Sequence, residues 1–430
     1  MGNMLDTFRN AWKISDLRKK IFFTIFMLLV FRLGSHIPVP GMNAARLQDL
    51  MRRGGAIFGF FDIVSGGSFA NATIFAMSIT PYINASIIVQ LLTVAIPKFE
   101  QLSKEGEEGR KIIAQIIRYT TVVLAFVQAV GLTIGMRSSI YGGLNVLSFI
   151  TVTLSFTAGT AFLMWLGEQI TEKGIGNGIS MLIFAGIVSR APVGALAIVQ
   201  NFRAGKFGQG AMAYLAISVV LAVFVAIIAL VIWVQEAERR IPVQYAKRVV
   251  GRKMYGGQST HIPIKVNLAG VMPIIFAMSF VALPSTIISV FAPNSQNKIL
   301  VWFRNAQTSI LFALLTGVLI IFFTFFYSYI QFNPIEIANN MKKNGGFIPG
   351  IRPGKPTSEY ISKILNRVTW FGAIFLAIIQ LFPSIVGKLT HINGVWFAGT
   401  SVLILVNVAL DTVKQIESQM IMRHYKGFLG

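Results

Sequence analysis

Long apolar runs without a charged side chain restrict this chain to one class of structure. Residues 266–297 and 305–335 contain no Asp, Glu, Lys or Arg, and neither do residues 72–96, 119–136 and 211–234. A helix needs about 20 mostly apolar residues to cross a bilayer. Each of these runs is about that long or longer. Only 13% of the 430 residues are charged, about half of the usual share in a soluble domain. The sequence therefore predicts an all-α polytopic membrane protein.

Hydropathy and length predict ten membrane spans. These are residues 21–40, 72–96, 114–136, 149–168, 178–197, 211–234, 267–290, 308–331, 368–387 and 394–412, and Arg190 and Pro192 interrupt the fifth. An even number of spans puts both ends of the chain on the same side of the membrane. That side carries 27 of the 38 Lys and Arg residues, and cytoplasmic loops are the ones enriched in these residues. Both termini are therefore predicted to lie in the cytoplasm, with the spans in the cell membrane.

Residue types exclude several kinds of site. The chain has no Cys and four scattered His residues, so neither disulfides nor a metal centre is expected, and no cofactor is predicted. The Gly-rich stretch GIGNGIS (174–180) follows a span rather than a β-strand, and GIRPGKP (350–356) has Pro where a phosphate-binding loop needs Ser or Thr. The net charge of +22 is first explained by membrane topology and anionic lipids, before nucleic acid.

The charge-free spans also separate two alternative functions from a passive channel. A small-solute secondary transporter usually carries ionisable groups at the membrane midplane, whereas Arg32, Glu168 and Asp411 lie near span ends. An intramembrane enzyme would need a nucleophile–base pair or metal ligands within the spans, but the His residues lie at span ends or in loops. Neither alternative is favoured, and no enzymatic activity is predicted.

A short apolar segment, GGAIFGFFDIVSGG (54–67), precedes the second span. It is too short to cross a bilayer, contains Asp62, and has a glycine pair at each end. Glycine pairs allow the backbone to change direction.

Two prolines suggest an internal repeat. Pro81 and Pro273 each lie in the second span of a five-span half, and two repeats of odd span number would be inverted in the membrane. A proline within a helix would also loosen it.

Seven stretches together resemble the SecY/Sec61-alpha family of protein-translocation channels. They occur in order along the whole chain as HIPVPG (36–41), SGGSFANATIFAMSITPYINASIIVQLL (65–92), EGEEGRKII (105–113), EQITEKGIGNGIS (168–180), ERRIPVQYAKR (238–248), QSTHIPIKVNLAGVMPIIFA (258–277) and FIPGIRPGKPT (347–357). One departure is Pro242, in a stretch that is often unbroken in the family, which we expect to stiffen its loop.

The resemblance implies two pseudo-symmetric five-helix halves around a pore. The implied parts are a cytoplasmic amphipathic helix (1–20), an N-terminal half (21–200), a hinge (201–210), a C-terminal half (211–412) and a cytoplasmic tail (413–430). A re-entrant half-helix, the plug (55–67), would block the pore from the outer side, with the apolar side chains of Ile57, Phe58, Phe60, Phe61, Ile63 and Val64.

Two further groups of residues are implied within the spans. A constriction would be formed by Ile79, Ile83, Ile179, Ile183, Ile275 and Ile404, and a lateral gate to the lipid would involve Pro81, Asn84, Gln128 and Pro273. The i, i+4 spacing of Ile79 with Ile83 and of Ile179 with Ile183 puts each pair on one helix face. Without the resemblance, these residues would be read as ordinary packing or interhelical contacts.

Two long basic loops, 235–265 and 333–367, would bind partners. The resemblance implies that SecA, the motor ATPase, and the ribosome dock there through Arg240, Lys247, Arg248 and Arg352. It also implies SecE and SecG as partner subunits, with signal peptides, preproteins and membrane lipid in contact with the channel. Topology-determining charge alone would explain the loops, but it explains Arg352 less well, because Pro349, Gly350, Pro353 and Gly354 frame that residue.

Overall fold

The computed structural model describes residues 9, 12–54, 62, 65–203, 205, 211–245, 248–250, 253–255, 259–291, 310–390 and 399–426. The chain divides into two compact units. The first comprises Met1–Gln200, Met278–Phe312 and Ile404–Gly430, and the second comprises Asn201–Ala277 and Ala313–Leu403. Each unit is described separately, and the predicted division into halves at 201–210 stays a prediction.

Helices account for most of the described chain. In chain order they are α1 (Ser15–Gly34), α2 (Ala44–Gly54), α3 (Thr80–Ala95), α4 (Pro97–Lys104), α5 (Glu107–Gly135), α6 (Val146–Lys173), α7 (Gly178–Ser189), α8 (Ala191–Arg203), α9 (Ala211–Glu236), α10 (Met272–Phe291), α11 (Ile310–Gln331), α12 (Pro334–Lys343), α13 (Lys355–Thr390) and α14 (Thr400–Lys426). The strands are β1 (Glu238–Tyr245), β2 (Arg248–Val250), β3 (Lys253–Tyr255), β4 (Ser259–Lys265) and β5 (Gly346–Phe347).

Five helices within the described residues are long and apolar enough to cross a membrane. They are Glu107–Gly135, Val146–Lys173, Gly178–Leu196, Leu311–Lys343 and Lys355–Phe382. Gly178–Leu196 joins α7 to the beginning of α8, and Leu311–Lys343 joins α11 to α12, each counted as one candidate span. The pair α3 and α4, bent by 101°, makes a sixth if it is counted as one span. Large apolar side chains such as Val123, Phe126 and Val127 of α5 face outwards, as lipid-facing residues do. The predicted helical membrane fold is confirmed, and these helices are consistent with ten spans without establishing that number.

The second and fifth predicted spans differ from continuous helices. Residues 71–79 form turns, so the helix predicted to begin at residue 72 begins at Thr80. The fifth span breaks at Arg190, between α7 and α8, as the interruption in its sequence suggested. Pro81 and Pro273 both lie in the first turn of a helix, where a missing backbone N–H leaves no hydrogen bond unmade. The expectation that these prolines loosen a helix from within is therefore wrong for α3 and α10.

The first unit is built around a buried cluster of α2, α5, α6 and the turns at 65–79. Its centre includes Phe69, Ala76, Ala129 and Phe156, all almost completely buried. Gly159 of α6 permits a close approach, because a Cβ atom there would lie 1.9 Å from the carbonyl oxygen of Ile74. The turns can thus rest directly on the backbone of α6.

The second unit contains a small sheet that the sequence did not predict. Strand β1 pairs antiparallel with β4 and with β5, so the long loops 235–265 and 333–367 share one sheet. Pro242 lies within β1 opposite His261 of β4. Gln244 is the one residue of β1 that pairs with both β4 and β5 among the described residues. In β1, buried Ile241 and Val243 alternate with exposed neighbours, as is typical of a strand. The sheet was not predicted because two Pro residues and a high charge content obscure this pattern in the sequence.

The contact at Gly159 generates a stability prediction. Replacing Gly159 by Ala should lower the thermal midpoint of the detergent-solubilised protein, because the new methyl group meets backbone and overpacking costs about 1–3 kcal/mol. The matched control is Gly135→Ala in α5, where a Cβ atom meets no heavy atom within 4 Å. Alanine is the better helix former, so the control should be neutral or slightly stabilising. Equal midpoints for the two variants would contradict this packing.

Candidate functional site

A buried non-helical stretch, residues 65–79, precedes α3 in the first unit. Phe69, Ala72 and Phe75 are almost completely buried, although the backbone here forms turns. Its backbone groups bond to one another and to the chain after α1: the Thr73 amide donates to the Ser68 carbonyl at 3.0 Å, and the Ile74 amide donates to the Ile37 carbonyl at 3.1 Å. Irregular backbone can thus exist inside this unit because its polar groups are paired within the protein.

Asp62 holds the beginning of this stretch. Its Oδ1 atom accepts a hydrogen bond from the Ala70 amide at 2.9 Å, and its carbonyl oxygen accepts one from the Gly67 amide at 2.9 Å. Its Oδ2 atom forms an ion pair with Nη2 of Arg190. The two side chains are 9% and 22% exposed, respectively, so the pair is largely removed from water.

Arg190 and its neighbours bring the end of α7 against the same turn. The hydroxyl of Ser189, the last residue of α7, donates to the Gly66 carbonyl at 3.3 Å, and Nη1 of Arg32 donates to that oxygen at 3.4 Å. Gly66 has a positive φ of 64°, and a Cβ atom there would lie 2.7 Å from the Cα of Gly186. Glycine is required at position 66 by both its backbone conformation and this close approach.

Five of the six predicted constriction residues lie in the first unit. Ile79 precedes α3 and is buried, Ile83 lies one turn into α3, and Ile179 and Ile183 lie in the first two turns of α7. Ile404 of α14 is also buried. Ile275 lies in α10 of the second unit and is half-buried. That the six form one ring stays a prediction.

The predicted lateral-gate residues are likewise divided between the units. In the first unit, Pro81 and Asn84 are buried in α3, and Gln128 is half-buried in α5. The Oδ1 atom of Asn84 is buried and has no hydrogen-bond partner among the described residues. Pro273 is buried in α10 of the second unit. Their role as a gate stays a prediction.

The three-stranded sheet of the second unit and the helices beside it form a platform, which we define as residues 238–245, 259–265 and 334–368. Its apolar centre contains Ile241, Val243, Ile264, Met341, Ile348, Ile361 and Leu365. The ring of Tyr245 packs on Gly346, where a Cβ atom would lie 2.9 Å from the tyrosine Cε1. The two long loops are therefore one packed structure.

Two of the four predicted partner-binding residues, Arg240 and Arg352, lie on this platform. Arg240 of β1 is exposed, and its Nε atom donates to Glu238 at 2.6 Å. Arg352 is exposed in a turn between Gly350 (φ 80°) and Gly354 (φ 106°), and its carbonyl oxygen accepts a hydrogen bond from the Thr357 hydroxyl at 2.8 Å. Arg248 belongs to β2, opposite Tyr255. Lys247 lies outside the described residues.

The predicted plug side chains of Ile57, Phe58, Phe60, Phe61, Ile63 and Val64 also lie outside the described residues.

Sequence reasoning missed the pair of Asp62 with Arg190. The available signal was that both are charged residues in otherwise apolar segments, and such residues usually need a partner. Their distance along the chain concealed that they are partners.

Comparison with known proteins assigns the family. The SecY family model matches residues 73–413. The protein translocase subunit SecY of Halalkalibacterium halodurans is 48% identical over 99% of this chain and 100% of its own length. The chain belongs to the SecY family.

Solved structures agree with this SecY-family assignment at the level of the fold. One is a SecY whose plug domain is described as stabilising the closed state of the translocation channel and maintaining a membrane seal. It matches with a TM-score of 0.67 and 20% identity, and the match covers 94% of this chain and 92% of that chain. Another is Sec61 in the canine ribosome-channel complex, with a TM-score of 0.62, 18% identity, and 94% and 93% coverage. The SecY-family chain is a multi-pass membrane protein and a subunit of a protein-translocation channel.

The platform of this SecY-family chain depends on its apolar centre. Replacing buried Val243 by Asp should accelerate hydrogen exchange at the backbone amides of β1, because burying an unpaired carboxylate disfavours the packed sheet. The control is Gln244→Asp, which places the same charge on the exposed side of the same strand. Hydrogen–deuterium exchange with mass spectrometry measures both variants. Unchanged exchange in Val243→Asp would show that the sheet does not rest on this centre.

Proposed function

We propose that this chain passes unfolded, signal-bearing polypeptides across the cytoplasmic membrane and releases membrane segments sideways into lipid. The observation that carries the proposal is the family match along the whole chain, together with long spans that lack charged residues. The chain would work with SecE and SecG, and energy would come from SecA or from the translating ribosome. Both termini would lie in the cytoplasm, as the distribution of Lys and Arg predicts.

The proposed constriction is the ring of Ile79, Ile83, Ile179, Ile183, Ile275 and Ile404. A narrow apolar ring resists ion flow, because water and ions lose hydration when they enter it. It also offers no hydrogen bonds or charges that would retain a passing polypeptide. β-Branched isoleucine has few side-chain rotamers, which helps to keep the opening uniform.

The proposed plug, residues 55–67, would close the outer side of this ring. Support comes from the short apolar sequence between glycine pairs and from the burial of Asp62, Ser65, Gly66, Ser68 and Phe69. The SecY structure described above, whose plug domain maintains a membrane seal, supports the same role by analogy. A segment that fills half of the membrane depth must be surrounded by protein, as the turns at 65–79 are.

The proposed lateral gate involves Pro81, Asn84, Gln128 and Pro273. An apolar segment in the pore would leave through this seam by partitioning into lipid, because apolar residues gain free energy at the membrane centre and charged ones lose it. The buried, unpartnered Oδ1 atom of Asn84 is consistent with a seam that is not sealed by permanent hydrogen bonds among the described residues.

The platform is the proposed docking surface for SecA and the ribosome. Arg352 would be a central contact, because its exposed guanidinium stands on a turn that two glycines and Pro353 restrict. Arg240, Lys247 and Arg248 would add positive charge, which suits rRNA phosphates or acidic protein surfaces. The likeness to Sec61 in a ribosome-channel complex supports the ribosomal partner.

Reconstitution tests the function directly. Vesicles that contain this chain with SecE, SecG, SecA and ATP should import a signal-bearing preprotein into a protease-protected space. Arg352→Glu should lower that rate about tenfold or more, because it reverses the charge of a docking contact. Membrane insertion of the variant itself should stay normal.

The control for this experiment is Lys111→Glu, which reverses an exposed charge at the beginning of α5 in the first unit. Import at the unmodified rate by Arg352→Glu would remove Arg352 from the docking surface. Failure of the unmodified chain, while a characterised SecY complex imports the same preprotein, would refute the proposed function.

The constriction generates a separate prediction. Ile404→Asn should increase ion conductance of the idle channel and allow export of preproteins with defective signals, because an amide in the ring favours water. The conservative control is Ile404→Leu, which keeps the ring apolar. Planar-bilayer conductance and export assays provide the measurements. Identical behaviour of the Asn and Leu variants would exclude Ile404 from the constriction.

A further inference from the structure

A glycine-rich turn of the first unit has no role in the function proposed above. Residues 174–178 connect α6 to α7, and we call them the junction turn. Its backbone amides bind side-chain oxygens of other helices. The Ile175 amide donates to the Thr24 hydroxyl of α1 at 3.0 Å, and the Gly178 amide donates to the Thr171 hydroxyl of α6 at 2.8 Å. The turn therefore connects α1 and α6 to the beginning of α7.

The last helix, α14, reaches the same turn through Gln415. Its side-chain oxygen accepts a hydrogen bond from the Gly176 amide at 2.6 Å. Gly176 is buried and has a φ of 85°, and a Cβ atom there would lie 3.4 Å from the hydroxyl of Thr412. Glycine thus suits this backbone conformation and lets the junction turn rest directly against α14.

Further contacts hold α1 beside α14 next to the junction turn. Leu17, Ile175 and Ile416 form a buried apolar cluster. The Nζ atom of Lys20 donates to the side-chain oxygen of Gln419 at 3.3 Å. The beginning of the first helix and the end of the last helix, both predicted to be cytoplasmic, are therefore packed against each other and against one turn.

Two helices of the proposed constriction meet at this turn. Ile179 and Ile183 lie in the first two turns of α7, immediately after residue 178. Ile404 lies on α14, about three helical turns before Gln415. A continuous helix carries a displacement at one point to the next few turns, because its backbone hydrogen bonds keep it stiff. A shift of Gln415 relative to Gly176 would thus also shift Ile404 relative to α7.

We propose that Gln415 is a positioning residue of the channel. It fixes the register of α14 against the beginning of α7, and so it sets the spacing between Ile404 and the isoleucines of α7 in the constriction. Gln415 acts through the Gly176 amide and not through contact with the passing polypeptide. This inference rests on the proposed function, in particular on the constriction to which Ile179, Ile183 and Ile404 are assigned.

The hydrogen bond supplies a directional constraint that apolar packing lacks. The contact energy of a cluster such as Leu17, Ile175 and Ile416 changes gradually when helices slide past each other. An N–H···O hydrogen bond weakens steeply away from its preferred distance and angle. If Gln415 lost its oxygen, the buried Gly176 amide would be unpaired in the present register. Other registers, in which that amide finds a partner, would then become populated.

Spin-label distances measure this register directly. The chain has no native Cys, so Cys substitutions at exposed Glu172 of α6 and exposed Ile421 of α14 can be labelled specifically in a complex with cysteine-free SecE and SecG. Gln415→Leu removes the acceptor at similar side-chain size, and we expect the distance distribution to become about twofold wider. Gln415→Glu keeps an acceptor oxygen and should retain the narrow distribution. Double electron–electron resonance provides the measurement.

Idle ion conductance measures the consequence for the constriction. Gln415→Leu should raise the conductance of the reconstituted complex about fivefold, because a displaced isoleucine leaves room for water in the apolar ring. Gln415→Glu should stay close to the unmodified channel. The control is Ser418→Leu, which places the same side chain on the exposed side of α14, where the Ser418 hydroxyl bonds to the Lys414 carbonyl of its own helix. It should change neither the conductance nor the distances.

A second pair of labels separates a change of register from general misfolding. Labels at exposed Lys19 of α1 and at Glu172 report how α1 lies against the junction turn. Gln415→Leu should leave this distribution narrow, because Thr24 still accepts its hydrogen bond from the Ile175 amide. Equal broadening for both label pairs would show a general loss of structure and would overturn the positioning role.

The remaining outcomes distinguish this proposal from the proposed function. The positioning role is overturned if Gln415→Leu keeps the narrow distribution or the unmodified conductance while Ile404→Asn leaks ions. It is also overturned if Gln415→Glu behaves like Gln415→Leu, because the acceptor oxygen then does not fix the register. If Ile404→Asn conducts no more than Ile404→Leu, the assignment of Ile404 to the constriction is wrong, and the role of Gln415 fails for that reason, whatever the label distances are.

Discussion

The fold depends on the requirement that backbone amides and carbonyls find partners where water is absent. Helices satisfy it within themselves, which explains why the apolar runs of this chain become helices. Residues 65–79 leave the helical conformation while largely buried, and they meet the same requirement by other means. The Val39 amide donates to the Ala72 carbonyl at 2.9 Å, and the bonds from Thr73 and Ile74 complete a closed set of turns. Irregular backbone is possible here because protein surrounds it.

Surrounding a turn with helices requires helices that can approach closely. Gly34 of α1 leaves space for the ring of Phe75, Gly159 of α6 for the Ile74 carbonyl, and Gly186 of α7 for Gly66. These glycines lie on three different helices of the first unit and face one segment. Because these glycines have no side chains, the helices leave room for the non-helical segment to pack against their backbones. Small residues have the same effect in the helix contacts of membrane proteins, where they allow backbones to approach closely.

Sequence reasoning recovered what depends on local pattern. Apolar length predicted the helical membrane fold, and Arg190 marked the break in the fifth span, because both signals lie within one segment. It failed where the outcome depends on distant residues. The sheet of β1, β4 and β5 joins two loops, and its Pro residues obscured the alternation. Asp62 was recognised as an exception in an apolar segment, but its partner could not be found without the fold. Pro81 and Pro273 were noticed and misread, since proline begins a helix as readily as it bends one.

The energetics of the Asp62–Arg190 pair explain why an ion pair, and not an apolar contact, suits this position. A buried pair adds little net stability, because desolvation offsets most of the attraction, whereas separating the charges inside a protein costs about 3–5 kcal/mol. An apolar contact would tolerate sliding of the turn along α7, since dispersion varies gradually with position. The ion pair instead favours one arrangement sharply: the carboxylate meets the guanidinium only when Gly66 and Gly67 lie against Ser189 and Arg190. It therefore defines the position of the turn against α7 rather than strengthening the bundle.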